Sequence, residues 1–275
     1  MTLNETFSID LNLPREVIAA ELSAFLPRAA ELACVPVSGF CVGAAALGAS
    51  GRVWLGANQE FAGLPLNFTV HAEQAAVLNA RSHGETKLLA LAVSAAPCGY
   101  CRQFLRELGA PLDIVLNGRI LPLDSLLPEA FALGGAKEAL LSRARDFSLL
   151  SACAADEAAQ AAAEASYSPY TGTKSGVALR CASGRVFCGC LLESAAYNPS
   201  LTALQSALTL RALERAQADP VAEAVLAESG PAPLRALLPR SCSAWRLGQT
   251  SALQRCDPND KEQKKPEGSL FLPAF

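Results

Sequence analysis

The chain has 275 residues, of which 51% are hydrophobic and 18% charged, enough to bury one or two substantial cores. A formal net charge of −3 disfavours a surface built to neutralise many phosphates. No apolar run reaches the roughly 18 residues that span a bilayer, so neither a nucleic acid nor a membrane is an expected partner. Residues 1–14 are acidic rather than basic and then apolar, which predicts no secretory signal and a cytoplasmic protein. Ten cysteines scattered through so long a chain then read as reduced thiols, some of them metal ligands.

In chain order, an Ala-rich stretch at residues 27–34 predicts a helix. Two short strands follow, Gly43-Ala-Ala-Ala-Leu47 and Gly51-Arg-Val-Trp-Leu-Gly56, joined by a glycine turn. A helix is expected at about residues 69–81, an apolar strand at 88–94, a helix at 98–108 and a strand at 112–117. Residues 133–151 read as a connection. The pattern then restarts with a helix at 154–166, strands around Ser183-Gly184, a helix at about 201–217 and a strand at about 224–228.

The restart is a repeat. Gly176-Val-Ala-Leu179 and Gly184-Arg-Val-Phe-Cys-Gly189 echo the first strand pair at a constant offset of 133 residues. The chain therefore uses one α/β unit twice, with expected domains at 1–138 and 139–256. Residues 257–275, rich in Pro, Lys and Glu, predict a poorly ordered tail. Within it, Lys261 to Lys265 is short and mixed with acids and reads as solvated rather than as a nucleic-acid patch.

Two motifs in the first copy carry chemistry, His71-Ala-Glu73 and Pro97-Cys98-Gly-Tyr-Cys101. Cys98 and Cys101 stand three residues apart at a helix start, so both thiolates face one side and exposed backbone N–H groups lower their pKa. Alone, C-x-x-C also reads as a structural zinc knuckle or a redox pair. With one nitrogen of His71 it makes a three-ligand set that leaves zinc a fourth position for water. Two thiolates cancel the charge of the ion, so the water is acidified less than at an all-histidine site and a nearby base is needed. Glu73, in the first turn but off the metal-facing side, suits that role as proton shuttle rather than ligand. H-x-E followed by P-C-x-x-C is the zinc deaminase signature.

The chain resembles the cytidine deaminases, specifically the two-domain homodimeric form of bacteria and plants. The resemblance runs from about residue 15 to 230. It rests on Phe40-Cys-Val-Gly-Ala44, Gly56-Ala-Asn58-Gln-Glu60-Phe61, Thr69-Val-His71-Ala-Glu73-Gln74, Pro97-Cys98 through Arg102-Gln103-Phe104, and Leu127-Pro-Glu-Ala-Phe131. It implies a duplicated α/β/α sandwich, a mixed sheet with helices on both faces, with a catalytic first copy and a degenerate second one. It also implies one zinc per chain and hydrolytic deamination of cytidine or 2′-deoxycytidine in pyrimidine salvage, with a zinc-activated water attacking C4.

By the same resemblance Asn58 and Glu60 bind the ribose 3′-hydroxyl, and Phe40 stacks on the pyrimidine. Backbone N–H groups of Ala72 and Cys98 hold its carbonyl, and Phe131 closes the site from the partner subunit of a homodimer. From the residues alone, Asn58 reads equally as a turn residue and Phe40 as core. Gln74 follows the glutamate where relatives with a third thiolate carry arginine. Ala95 departs from the tyrosine of the bacterial dimeric enzymes, which changes the pyrimidine contacts but not the metal.

The second copy keeps Ser166-Tyr-Ser-Pro-Tyr170 and Glu193, the counterpart of Glu60. Aligning Gln205 with Gln74 sets Thr202 at His71 and Leu204 at Glu73, while Leu191 replaces Asn58, so its chemistry is lost. Cys181, Cys188 and Cys190 sit on paired strands and read as buried thiols. His83, in a loop beside Gly84, reads as a solvated surface residue. Two other functions stay open from sequence: deamination of cytosine in single-stranded nucleic acid, and a non-catalytic zinc-stabilised binding protein.

Overall fold

The computed structural model describes residues 7–134, 138–231 and 245–247. The first copy contains β1 (Phe7–Ser8), α1 (Arg15–Ala24), α2 (Leu26–Ala30), β2 (Gly43–Gly48), β3 (Arg52–Ala57) and α3 (Ala72–Ser82). It continues with β4 (Leu88–Val93), α4 (Gly99–Leu105), β5 (Asp113–Leu116), β6 (Arg119–Pro122) and α5 (Leu123–Leu126). The second contains α6 (Ala155–Glu164), β7 (Lys174–Cys181), β8 (Val186–Cys190), α7 (Ala203–Leu213), β9 (Val221–Ser229) and β10 (Trp245–Leu247). The expected tail at 257–275 lies outside the described residues.

The sheet of the first copy runs β1-β3-β2-β4-β5-β6, and that of the second runs β10-β9-β7-β8. In each, an antiparallel hairpin pairs with the strand that follows the long helix, β2 with β4 and β7 with β9. A parallel strand is then added, β5 on β4 and β10 on β9. That is the expected duplicated mixed sheet, and β10 extends the correspondence beyond Glu228, where the sequence becomes hard to follow.

Alternation along β2 explains the layers, because successive strand side chains point to opposite faces. Ala45 and Leu47 pack with Leu22 and Ala29 of α1 and α2, whereas Ala44 and Ala46 pack with Ala75, Ala76 and Leu78 of α3. The second face does not end at the copy boundary. Leu78, Phe104 and Leu105 share one core with Ala162, Ala178 and Leu213, so both copies are built around common apolar contacts.

Several elements differ from the sequence reading. The helix expected at 27–34 is the short α2, which ends at Ala30, with α1 upstream of it, and Cys34 lies past the helix and bridges Gln59. Pro14 and Pro27 stand at or near the two helix starts, where a missing N–H costs nothing. The connection 133–151 is partly core, with Leu140 and Leu141 buried and a 3₁₀ turn at Phe147–Leu150. His83 is not a solvated residue: it is half-buried, stacked on Trp54 at 5.1 Å, with Nδ1 2.9 Å from the Asn79 carbonyl.

Candidate metal centre

Both chemical motifs lie at helix starts. His71 is the N-cap residue of α3 and Cys98 that of α4, each with extended backbone. The free N–H groups and the positive end of the helix dipole therefore face the same place from two directions, which favours thiolates there.

Gly56 sets how close α3 can come. A Cβ at this position would lie 2.2 Å from the Ala76 nitrogen and 2.5 Å from the Ala72 oxygen, both main-chain atoms. Only glycine lets β3 touch the first turns of the helix that carries His71 and Glu73. Gly189 does the same in the second copy, 2.2 Å from the Ala207 nitrogen and 2.4 Å from the Ala203 oxygen.

The three donors meet. Cys98 Sγ lies 3.3 Å from His71 Nδ1, Cys101 Sγ lies 3.4 Å from it, and the two sulfurs are 3.8 Å apart. A tetrahedral zinc ion with bonds of about 2.3 Å to sulfur and about 2.0 Å to nitrogen needs about 3.8 Å between sulfurs and about 3.5 Å between sulfur and nitrogen. The observed triangle matches, and it is the one such group of three ligands among the described residues. Cys101 is fully buried and Cys98 exposed, so the site opens on the Cys98 side.

Without metal, hydrogen bonds from Cys101 and then His71 bring Cys98 down to about 3, while Cys101 is pushed up because its proton is held by Cys98 and the thiol is buried. Glu73 is the second residue of α3 and is buried. Burial raises its carboxyl above the usual range.

The other expected residues surround this triangle in different ways. Asn58 donates to the Phe40 carbonyl at 2.9 Å and accepts the Val42 N–H at 2.9 Å, bracing the chain on either side of Cys41. Glu60 accepts the Val37 and Ser38 N–H groups, both at 2.9 Å. Burial works against its charge, but hydrogen bonds from Ser38 and Val37 more than offset this and hold it below the ordinary carboxylate value. Phe40 is exposed rather than core. Phe131 is also exposed, with its carbonyl tied to Gln103 at 2.8 Å. Neighbouring Arg102 holds the carbonyls of Pro97 and Leu126, so two residues of α4 fix the segment 126–131.

Among the described residues, the second copy has no such centre. Thr202 caps α7 where His71 caps α3, accepting the Gln205 N–H at 3.2 Å. Glu193 accepts the Tyr170 and Thr171 N–H groups, as Glu60 does for Val37 and Ser38. Cys181, Cys188 and Cys190 are buried, and burial raises all three thiols.

Three buried polar residues make contacts between the copies that the sequence does not foretell. Gln74 donates to the Pro199 carbonyl at 2.8 Å, bringing the second copy to the start of α3. Arg81 and Glu107, in the helical segments that carry the donors, also reach the second copy. The phenols of Tyr167 and Tyr170, which need acceptors when buried, were the available signal for Glu107.

Two family models match, both described as the cytidine and deoxycytidylate deaminase zinc-binding region, over residues 19–116 and 123–237. Among solved structures, cytidine deaminase from Mycobacterium tuberculosis is 42% identical over 42% of this chain and 97% of its own, with a TM-score of 0.39. That from Burkholderia pseudomallei is 32% identical over 41% and 98%, with a TM-score of 0.37. That from Mycobacterium leprae is 29% identical over 44% and 100%, with a TM-score of 0.38. The two family matches together span most of the chain.

Proposed function

As this chain belongs to the cytidine and deoxycytidylate deaminase family, we propose that it hydrolyses free cytidine or 2′-deoxycytidine to the uridine counterpart and releases ammonia. It is a zinc enzyme of the cytidine deaminase class. The observation that carries the reading is the donor triangle with buried Glu73 against it.

His71, Cys98 and Cys101 would hold the zinc, which would supply the Lewis acidity that makes a water reactive toward C4 of the pyrimidine. Glu73 takes up the proton of that water, and burial favours the neutral carboxyl while it carries it. It delivers the proton to ring N3 and then assists protonation of the amino group as the C4–N bond breaks. The oxygen that entered remains as the uridine carbonyl.

Orientation falls to the surrounding residues. The N–H groups of Ala72 and Cys98 hold the pyrimidine carbonyl, and exposed Phe40 offers its face to the ring. Asn58, after its two bonds to the 40–42 segment, keeps one amide hydrogen and one lone pair, and Glu60 keeps acceptor capacity. The pair would therefore take the ribose 3′-hydroxyl. Phe131, exposed and anchored through its carbonyl, would close the site of a partner chain in a homodimer. We assign the catalytic domain to 1–138 and the degenerate one to 139–256, and place the reaction in cytoplasmic pyrimidine salvage.

The test is incubation of purified protein with cytidine, deoxycytidine, free cytosine and a cytosine-containing oligonucleotide, following ammonia. Both nucleosides should turn over. Turnover of the oligonucleotide alone would assign the site to nucleic acid, and no turnover with zinc bound would make it a structural centre.

A further inference from the structure

The zinc donors stand at the starts of two helices, so their spacing depends on what holds the far ends. α3 ends near Arg81, and α4 continues through a 3₁₀ turn, Arg106–Leu108, that contains Glu107. From Cys98 to Leu108 the segment is about 15 Å long at 1.5 Å per residue, so a tilt of about 4° moves its start by about 1 Å. Metal sites tolerate about 0.2 Å.

Both far ends meet at one residue of the connection. Leu140 donates its N–H to the Glu107 carbonyl at 2.7 Å, and its own carbonyl accepts Arg81 Nε at 2.9 Å. The side chains of Arg81 and Glu107 both cross into the second copy. Arg81 reaches the Ala165 carbonyl at 2.5 Å and Cys190 Sγ at 3.3 Å. Glu107, buried, uses both carboxylate oxygens: Oε2 accepts the hydroxyls of Tyr167 and Tyr170, each at 2.8 Å, and Oε1 accepts the Ala195 N–H at 2.7 Å.

We propose that Glu107 is a positioning residue for the zinc centre, latching the Cys98/Cys101 helix to Tyr167, Tyr170 and Ala195 so that the degenerate copy serves as the jig for the active one. The proposal rests on the deaminase reading of the site and gives the second copy a task within it. Burial, and then the Glu107 contact, raise both phenols well above the ordinary tyrosine value, so they remain donors. A carboxylate side chain that accepts from three donors on two separate segments fixes position as well as distance, which a single apolar contact does not.

Three variants test it in the zinc-loaded full-length protein: Glu107→Ala, Glu107→Gln, and the double Tyr167→Phe/Tyr170→Phe, which removes only two hydroxyls. Zinc transfer to a chelator and kcat per bound zinc are read well below the melting temperature. Glu107→Ala and the double variant should lose zinc faster and lower kcat, by about 10- to 100-fold, as supporting residues of metal ligands do, with KM nearly unchanged. Glu107→Gln still accepts the Ala195 N–H and can donate to the phenol oxygens, so it should stay within about fivefold of the parent. Should Glu107→Ala not fold, the double variant carries the same test. Unchanged zinc release and kcat in the folded variants, or a fall in melting temperature alone, overturns the proposal. Zinc release is read without substrate, so it judges the latch even if the parent deaminates no nucleoside.

Discussion

Gln74 and Gln205 make the same bond in opposite directions. Gln74 Nε2 donates to the carbonyl of Pro199 at 2.8 Å, and Gln205 Nε2 donates to that of Phe68 at 3.0 Å. Each acceptor stands three residues before the partner helix's N-cap, Thr202 or His71, so the duplication is closed by a reciprocal pair. Replacing either glutamine by alanine leaves a buried carbonyl unsatisfied, at a cost of about 1–3 kcal/mol. Melting curves should show similar losses for both variants. Only Gln74→Ala should also reduce kcat, because its bond seats the turn that carries Glu73. Loss of activity in Gln205→Ala equal to that in Gln74→Ala would contradict this.

Gly56→Ala should displace α3, since both atoms its Cβ would meet belong to the helix main chain. Overpacking of this kind costs about 1–3 kcal/mol. Gly189→Ala meets the same obstacle at α7 and should lose comparable stability. Activity separates them: a shift of about 1 Å at the chemical groups costs on the order of 10²-fold, and only Gly56→Ala imposes it there. Equal kcat in the two variants would show that the approach of β3 does not place the site.

Glu60 and Glu193 do the same structural task, each holding two backbone N–H groups of the preceding loop. Alanine at either position should lower the melting temperature. If Glu60 also binds ribose, Glu60→Ala raises KM by about 10- to 100-fold, the worth of a hydrogen bond to a charged group, while Glu193→Ala leaves KM alone. The acid limb carries a sign. The folded value of Glu60 lies below the ordinary 4.5, so its stabilisation is whole above 4.5 and fades as pH falls through the lowered value. Glu60→Gln should show a smaller loss of stability over that range.

Phe131 tests the assembly. A two-fold interface places the two Phe131 side chains at equivalent sites, so Phe131→Ala should raise KM or lower kcat with zinc content unchanged. Mixing it with Glu73→Gln under subunit exchange should recover part of the activity, because some dimers then pair intact Glu73 with intact Phe131. A fully active monomer by light scattering, or no recovery despite proven exchange, would place Phe131 within its own chain's site or remove it from the chemistry.

The donor triangle was legible in the sequence because helix-start spacing and ligand type constrain each other: His71, Cys98 and Cys101 meet where the motifs predict. The repeat was legible through its glycines, Gly56 and Gly189, whose role is a close approach that no other residue allows. Contacts between the copies were not. Arg81 and Glu107 look like ordinary exposed charges on a helix, since a local pattern carries no information about a partner that comes about 60 to 110 residues later, and only packing shows them buried. His83 was misread for the same reason, its stacking partner Trp54 lying on another element. α1 is hard to see in the sequence because only Ala19 and Leu22 of its ten residues are buried, too few to mark an apolar face.

The central claim is that Glu73 moves protons at a zinc centre without holding the metal. Glu73→Gln keeps the shape and hydrogen bonding of the side chain and removes its titration. Zinc content and cytidine turnover measured on the same purified sample should give one zinc per chain, as in the parent, with kcat lower by about 10² to 10⁴. Turnover within about tenfold of the parent, or loss of the zinc itself, would contradict the account.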